Sequence, residues 1–236
     1  MAEEFTKDYW EDHWQQSQGR AHEASPYLAR ELGELAPGSA LDAGCGEGAA
    51  AIWLALAGWD VTAVDISTAA LAGAAQAATT AASPPVRWVA ADLTEWSPGR
   101  QFDLVMTHYA HSSMPQLDFY ARLAEWVAPG GTLLIVGHRE APADPHHHRD
   151  HSDHDHDHHD HSDHRDHRDR RDRHHDHGPG HRSPPAASVT ATAVAARLDP
   201  AEWVIITAAE PTRTIGDRHG HPVRLDDVVV RASRCR

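Results

Sequence analysis

Residues 39–66, SALDAGCGEGAAAIWLALAGWDVTAVDI, restrict the fold more than any other part of the chain. SALDAGCG reads as a short strand ending in glycines, Ala49 to Leu56 as an alanine-rich helix closed by Gly58, and WDVTAVDI as a β-branched strand. Strand, glycine turn, helix and strand make a β-α-β unit.

The alternation continues downstream with a helix from Thr68 to Ala82, a Ser83-Pro84-Pro85 break, the strand VRWVAAD, a turn at Ser97-Pro98-Gly99 and the strand FDLVMTH. A helix from about Gln116 to Val127 ends at Pro129-Gly130-Gly131, and TLLIVGH follows as a strand. Upstream, helical spacing over residues 24–36 puts Leu28, Leu32 and Leu35 on one face, stopped by Pro37-Gly38. Near the C-terminus, SVTATAVAARL reads as a helix with Thr190 as N-cap. EWVIITAAEPTRT and DDVVVRAS read as two strands joined through GDRHGHP, a connection of hairpin character. The expectation is one α/β domain over residues 1–236: a Rossmann-like, doubly wound, mostly parallel sheet with an antiparallel C-terminal strand pair.

A tract of Asp, His and Arg interrupts this pattern between strand five and the following helix, at about residues 141–186. It offers almost no apolar side chains to offset ordering entropy, so it reads as a disordered insert. Neutral imidazoles among carboxylates suit Ni, Zn or Cu, and His146, His147, His148, His154, His156 and His158 are candidate non-catalytic ligands. No fixed spacing such as H-E-x-x-H recurs, so the tract specifies no catalytic geometry.

The formal charge of −14 disfavours a nucleic-acid partner. Full protonation of the 22 histidines would carry that charge to +8, which makes the surface a proton buffer near pH 6. Cys45 lies in the glycine turn, where it reads as a small buried filler, and Cys235 is the only other cysteine. A reducing cytoplasm is therefore expected, with no disulfide framework. The first residues, MAEEFTKDYWEDHW, do not read as a signal peptide, and no apolar run is long enough for a membrane span.

The turn LDAGCGEG, residues 41–48, lets a ligand approach bare backbone beside a helix N-terminus. Gly44, Gly46 and Ala49 also satisfy the dinucleotide pattern G-x-G-x-x-A, with Asp65 near the expected ribose-binding position. Asp42 separates the two readings. A carboxylate at the mouth of the turn would oppose a pyrophosphate but suits a ligand carrying an ammonium and a sulfonium.

An acidic residue followed by G-x-G-x-G, here Asp42, Gly44, Gly46 and Gly48, resembles the hallmark of the class I S-adenosylmethionine-dependent methyltransferases. The resemblance implies that Asp65, with Ile66 beside it, holds the ribose hydroxyls, and that Asp92 with Leu93 meets the adenine. Asp92 read by itself could equally be a helix cap. The likeness runs from about Tyr9 to the C-terminus outside the tract. It is greatest to small actinobacterial-type methyltransferases, some of which are joined to a flavin-dependent reductase, and looser to tellurite and thiopurine methyltransferases. A flavin reductase partner follows only by that analogy. In related enzymes the N-terminal segment, here residues 1–36, serves as a lid, with Trp14 the preferred lid residue; read by itself, the run of Tyr9, Trp10, His13 and Trp14 is ordinary packing against the sheet.

Methyl transfer is an in-line displacement, so an enzyme mainly positions the nucleophile and excludes water. THYAHSS follows the fourth strand, at the sheet edge where ligands of open α/β sheets sit. His108 and His111 are the candidate bases or hydrogen-bond partners, and Tyr109 is a candidate substrate contact. The expected activity is methylation of a small molecule. The second reading, from another class, is a metal-storage or metal-sensing protein on the same scaffold.

Overall fold

The computed structural model describes residues 5–17, 24–139, 188–216 and 221–236. Expectations that fall elsewhere, the histidine tract and its candidate metal ligands among them, lie outside the described residues. The described elements all belong to one compact unit, built from Met1–Ala141 and Ser183–Arg236.

Five parallel strands form its centre: β1 (Ser39–Ala43), β2 (Asp60–Asp65), β3 (Arg87–Ala90), β4 (Phe102–His108) and β5 (Val127–Arg139). β7 (Trp203–Ala209) and β9 (Pro222–Arg234) extend the sheet in the order β3-β2-β1-β4-β5-β9-β7, with β9 antiparallel to both its neighbours. The expected doubly wound, mostly parallel sheet with an antiparallel C-terminal pair is therefore present. Strand order reverses between β1 and β4, and that reversal opens a crevice at their carboxyl ends.

Pleating sorts the core into two layers, because alternate residues of a strand face opposite sides. Leu41, Val105, Leu133 and Ile135 pack with Phe119 and Leu123 of α5 (Gln116–Glu125) and Val194 of α6 (Ala191–Ala195). Ala40, Leu104, Met106 and Leu134 face the other way, onto Leu28 and Leu32 of α2 (Pro26–Leu32) and Leu54 of α3 (Ala49–Leu56). Central strands buried on both faces explain why the sequence shows apolar runs there rather than clean alternation.

Several boundaries differ from the expected ones. The helix expected over residues 24–36 is only α2, capped by the Ser25 hydroxyl, and Leu35 lies in the turn beyond it. Pro129-Gly130-Gly131 does not precede β5 but lies within it as a bulge: Phe102 pairs with Val127 and Leu104 with Thr132, and Gly130 is left-handed. EWVIITAAEPTRT divides at Pro211 into β7 and β8 (Thr212–Gly216), the latter pairing antiparallel with β9. Ser188–Val189 is a two-residue strand, β6, parallel to the end of β5. Thr190 then caps α6 as expected, its hydroxyl accepting from the Ala193 amide. No described helix is long and apolar enough to cross a membrane.

Candidate functional site

The glycine turn fills the crevice between β1 and α3. Gly44, Gly46 and Gly48 are all left-handed, with φ of +77°, +51° and +78°. At all three the absence of a side chain is also a packing requirement. A Cβ on Gly44 would lie 2.3 Å from the Ala110 methyl, and one on Gly46 would lie 2.8 Å from the indole of Trp14. The turn is thus pressed between the loop after β4 and the N-terminal helix α1 (Lys7–Ser17).

Asp42 ends β1 beneath this turn, 1% exposed. One carboxylate interaction is with the Ala51 amide in the first turn of α3, while Oδ2 is buried with no hydrogen-bond partner. Burial, reinforced by the charge of Asp65, pushes the Asp42 carboxyl up to about 7. Asp65, at the end of β2, ties the turn to the next loop: Oδ2 accepts from the Gly46 amide (2.8 Å) and Oδ1 from the Ser67 amide (2.9 Å). Its carboxyl is also raised, by burial that outweighs those two bonds. The Cys45 thiol, pushed far up by burial, is inert at neutral pH, in keeping with its reading as a filler.

Ile66 is half-buried beside Asp65. Asp92 Oδ1 accepts from both the amide (2.8 Å) and the hydroxyl (2.7 Å) of Thr94, the turn-capping role that a lone aspartate there allows. Leu93 packs into the core layer of α5.

Sequence reasoning missed what seats α1. Glu11 accepts from the hydroxyls of Ser67 (2.8 Å) and Thr68 (2.9 Å), at the start of α4 (Thr68–Thr80). Those bonds lower its carboxyl pKa and lay α1 across the end of β2, with Trp14 over Gly46. Replacing Glu11 with alanine is expected to free α1, read as faster hydrogen exchange of its amides with the sheet unchanged. Equal protection of α1 in both proteins would refute the anchoring role.

His108 and His111 are brought to the same edge. Neither ring nitrogen of His108 has a hydrogen-bond partner, and burial lowers its pKa to about 4. His111 Nδ1 is likewise buried and unpartnered; burial, with His138 nearby, lowers this imidazole to about 4 as well. Tyr109 between them is left-handed at φ +54°, an uncommon conformation for a bulky residue. An aromatic wall surrounds His111, whose ring centroid lies 5.2 Å from Phe5, 6.3 Å from Trp10 and 5.3 Å from His138. His138, Phe5 and Arg213 were not among the expected site residues, having no local motif to mark them. Among the described residues no cluster of His, Cys, Asp or Glu could hold a metal ion.

Sheet order, glycine cradle and acidic residues at the ends of β1 and β2 together define the class I S-adenosylmethionine-dependent methyltransferase architecture. Residues 40–131 match the family model described as methyltransferase domain. It is 41% identical over 98 residues to an uncharacterized methyltransferase of Mycobacterium tuberculosis, covering 41% of this chain and 48% of that protein. It is 34% identical over 137 residues to the ribosomal RNA small subunit methyltransferase C of Alcanivorax borkumensis, covering 53% of this chain and 41% of that protein. These matches thus span under half the length of either relative. TehB from Haemophilus influenzae shares the fold, with a TM-score of 0.62 at 14% identity over 96% of this chain and 67% of that one.

Proposed function

We propose that the chain is an S-adenosylmethionine-dependent methyltransferase acting on a small-molecule acceptor, with Asp42, Gly44, Gly46, Gly48, Asp65, Ile66, Asp92 and Leu93 at the cofactor. The observation that carries this reading is the buried, unpartnered Oδ2 of Asp42 beside a turn too tight for any side chain. A cation fits there and a pyrophosphate does not. When bound, the cofactor supplies a methyl group made electrophilic by its sulfonium.

The residues of this chain bind, orient and exclude water. Asp65 fixes the turn and faces the ribose, Trp14 covers Gly46, and the wall around His111 keeps water from the edge of β4. A neutral imidazole at His111 takes a proton from the acceptor or accepts its hydrogen bond. Because His111 titrates at about 4, its variant His111→Ala should lose activity evenly from pH 5 to 8, with no inflection near 6.5. A wild-type rate that fell through pH 6.5 in step with protonation of His111 would remove it from this role.

Calorimetric titration of S-adenosylmethionine, its demethylated product and NADH tests the reading. One-to-one binding of the first two without NADH is expected; no binding would overturn it. The affinity should weaken as pH falls through about 7, because Asp42 becomes protonated in the free protein. A small acceptor accords with the charge of −14, which repels phosphate backbones. Ni, Zn or Cu held by the tract would be incidental to catalysis: deleting residues 146–181 should leave cofactor binding unchanged, and its loss would point to the metal-handling alternative.

A further inference from the structure

Among the described residues, Asp227 is the most deeply buried carboxylate outside the proposed cofactor site. It lies on β9, directly opposite His138 of β5. Its Oδ2 accepts from the Tyr27 hydroxyl of α2 (2.8 Å) and from Arg213 Nε of β8 (2.6 Å). Arg213 Nη2 in turn donates to the hydroxyl of Tyr109 (3.0 Å). Asp227 Oδ1 is buried with no hydrogen-bond partner.

Stability does not call for this arrangement. A buried ion pair adds little over well-packed apolar residues, and an unfilled carboxylate oxygen is a net loss to the fold. The neighbourhood favours a ligand instead. Tyr109 and His138 lie ring to ring with centroids 4.8 Å apart, and His111 continues the wall. Arg213 offers no surplus positive charge, being matched by Asp227. An anionic group would meet the Asp227 carboxylate, whose charge already matches that of Arg213.

Resting on the methyltransferase reading, we propose that Asp227, Arg213, Tyr109, His111 and His138 form the acceptor subsite, which takes an uncharged planar aromatic molecule whose O–H or N–H donates to Asp227 Oδ1. Flat rings suit the histidine and tyrosine faces. The donor satisfies the orphan oxygen and sets the acceptor's orientation, which makes Asp227 a specificity determinant. Arg213 and Tyr27 are positioning residues that act through it.

The test uses the full chain saturated with the demethylated cofactor, and three probes of one shape: 2-naphthol, 2-methoxynaphthalene, which lacks the donor, and 2-naphthoate, which is anionic. 2-Naphthol is expected to bind at least about tenfold more tightly than either, since a site built around a donor rejects analogues that lack it. Asp227→Asn should bring the three within about threefold of one another. In the wild-type chain with carbon-13 in its aspartate carboxyls, the Asp227 signal should shift with 2-naphthol and not with the ether, a readout that holds even if the variant does not fold. Equal binding of naphthol and ether, tighter binding of naphthoate, or an unmoved Asp227 signal would overturn the proposal. If the demethylated cofactor itself fails to bind, the methyltransferase reading falls first.

Discussion

Replacing Asp42 with asparagine is expected to stabilise the ligand-free protein at pH 8 while weakening S-adenosylmethionine tenfold to a hundredfold. The carboxyl sits near 7 when folded, well above its value in an unfolded chain, so the folded state holds its proton more tightly. Stability is therefore lost as pH rises from about 4 to about 7, where the unfolded chain has ionised and the folded one resists. Removing the charge should restore about 2–4 kcal/mol at pH 8, read as a melting temperature roughly 5–10 °C higher. The difference should shrink as pH falls and vanish below about pH 4, where the carboxyl is neutral in the folded and the unfolded chain alike. The cofactor loss follows from a charge-assisted hydrogen bond reduced to a neutral one. An advantage of the variant over the wild type no larger at pH 8 than at about pH 4 would show that Asp42 is already solvated or paired.

Gly44→Ala should be the most damaging single-methyl change in the protein. Left-handed backbone costs a residue with a side chain roughly 1–2 kcal/mol. The new methyl would also start 2.3 Å from Ala110, so the turn and the loop after β4 must separate, for about 1–3 kcal/mol more. Together these approach a large part of the stability of an ordinary domain. Denaturant unfolding should show a loss of about 2–5 kcal/mol, with no measurable binding of the demethylated cofactor. Gly99→Ala is the control, because that glycine is also left-handed but its Cβ would meet nothing within 4 Å. Equal losses in both variants would mean that strain alone, and not the packed turn, sets the penalty.

The half of the site proposed for the cofactor was legible because its chemistry is local. Three glycines, an acid two residues before them and an acid at the next strand end lie within 24 residues, from Asp42 to Asp65. Thr190 was legible as a cap for the same reason: a hydroxyl three residues before its partner amide is a property of the tetrapeptide. The proposed acceptor half is assembled from afar. Tyr27 and Asp227 meet across 200 residues, and nothing beside either one announces the other. Glu11 was hidden among neighbouring acidic residues, its role set by where α1 lands. β6 is too short to show any period, and the bulge at Gly130 looks in sequence like the end of an element because glycine and proline mark both.

The parallel pairing of His138 with Ser188 and Arg139 with Val189 gives the sheet a socket for foreign sequence. The chain leaves β5 and returns one strand away, about 4.8 Å across, so whatever connects the two points enters and exits at almost the same place. Closing that connection changes by only about 0.6 kcal/mol for each doubling of its length. Repeat expansion and contraction at this locus would therefore be nearly invisible to selection on folding, and a reporter domain with adjacent termini could be grafted there.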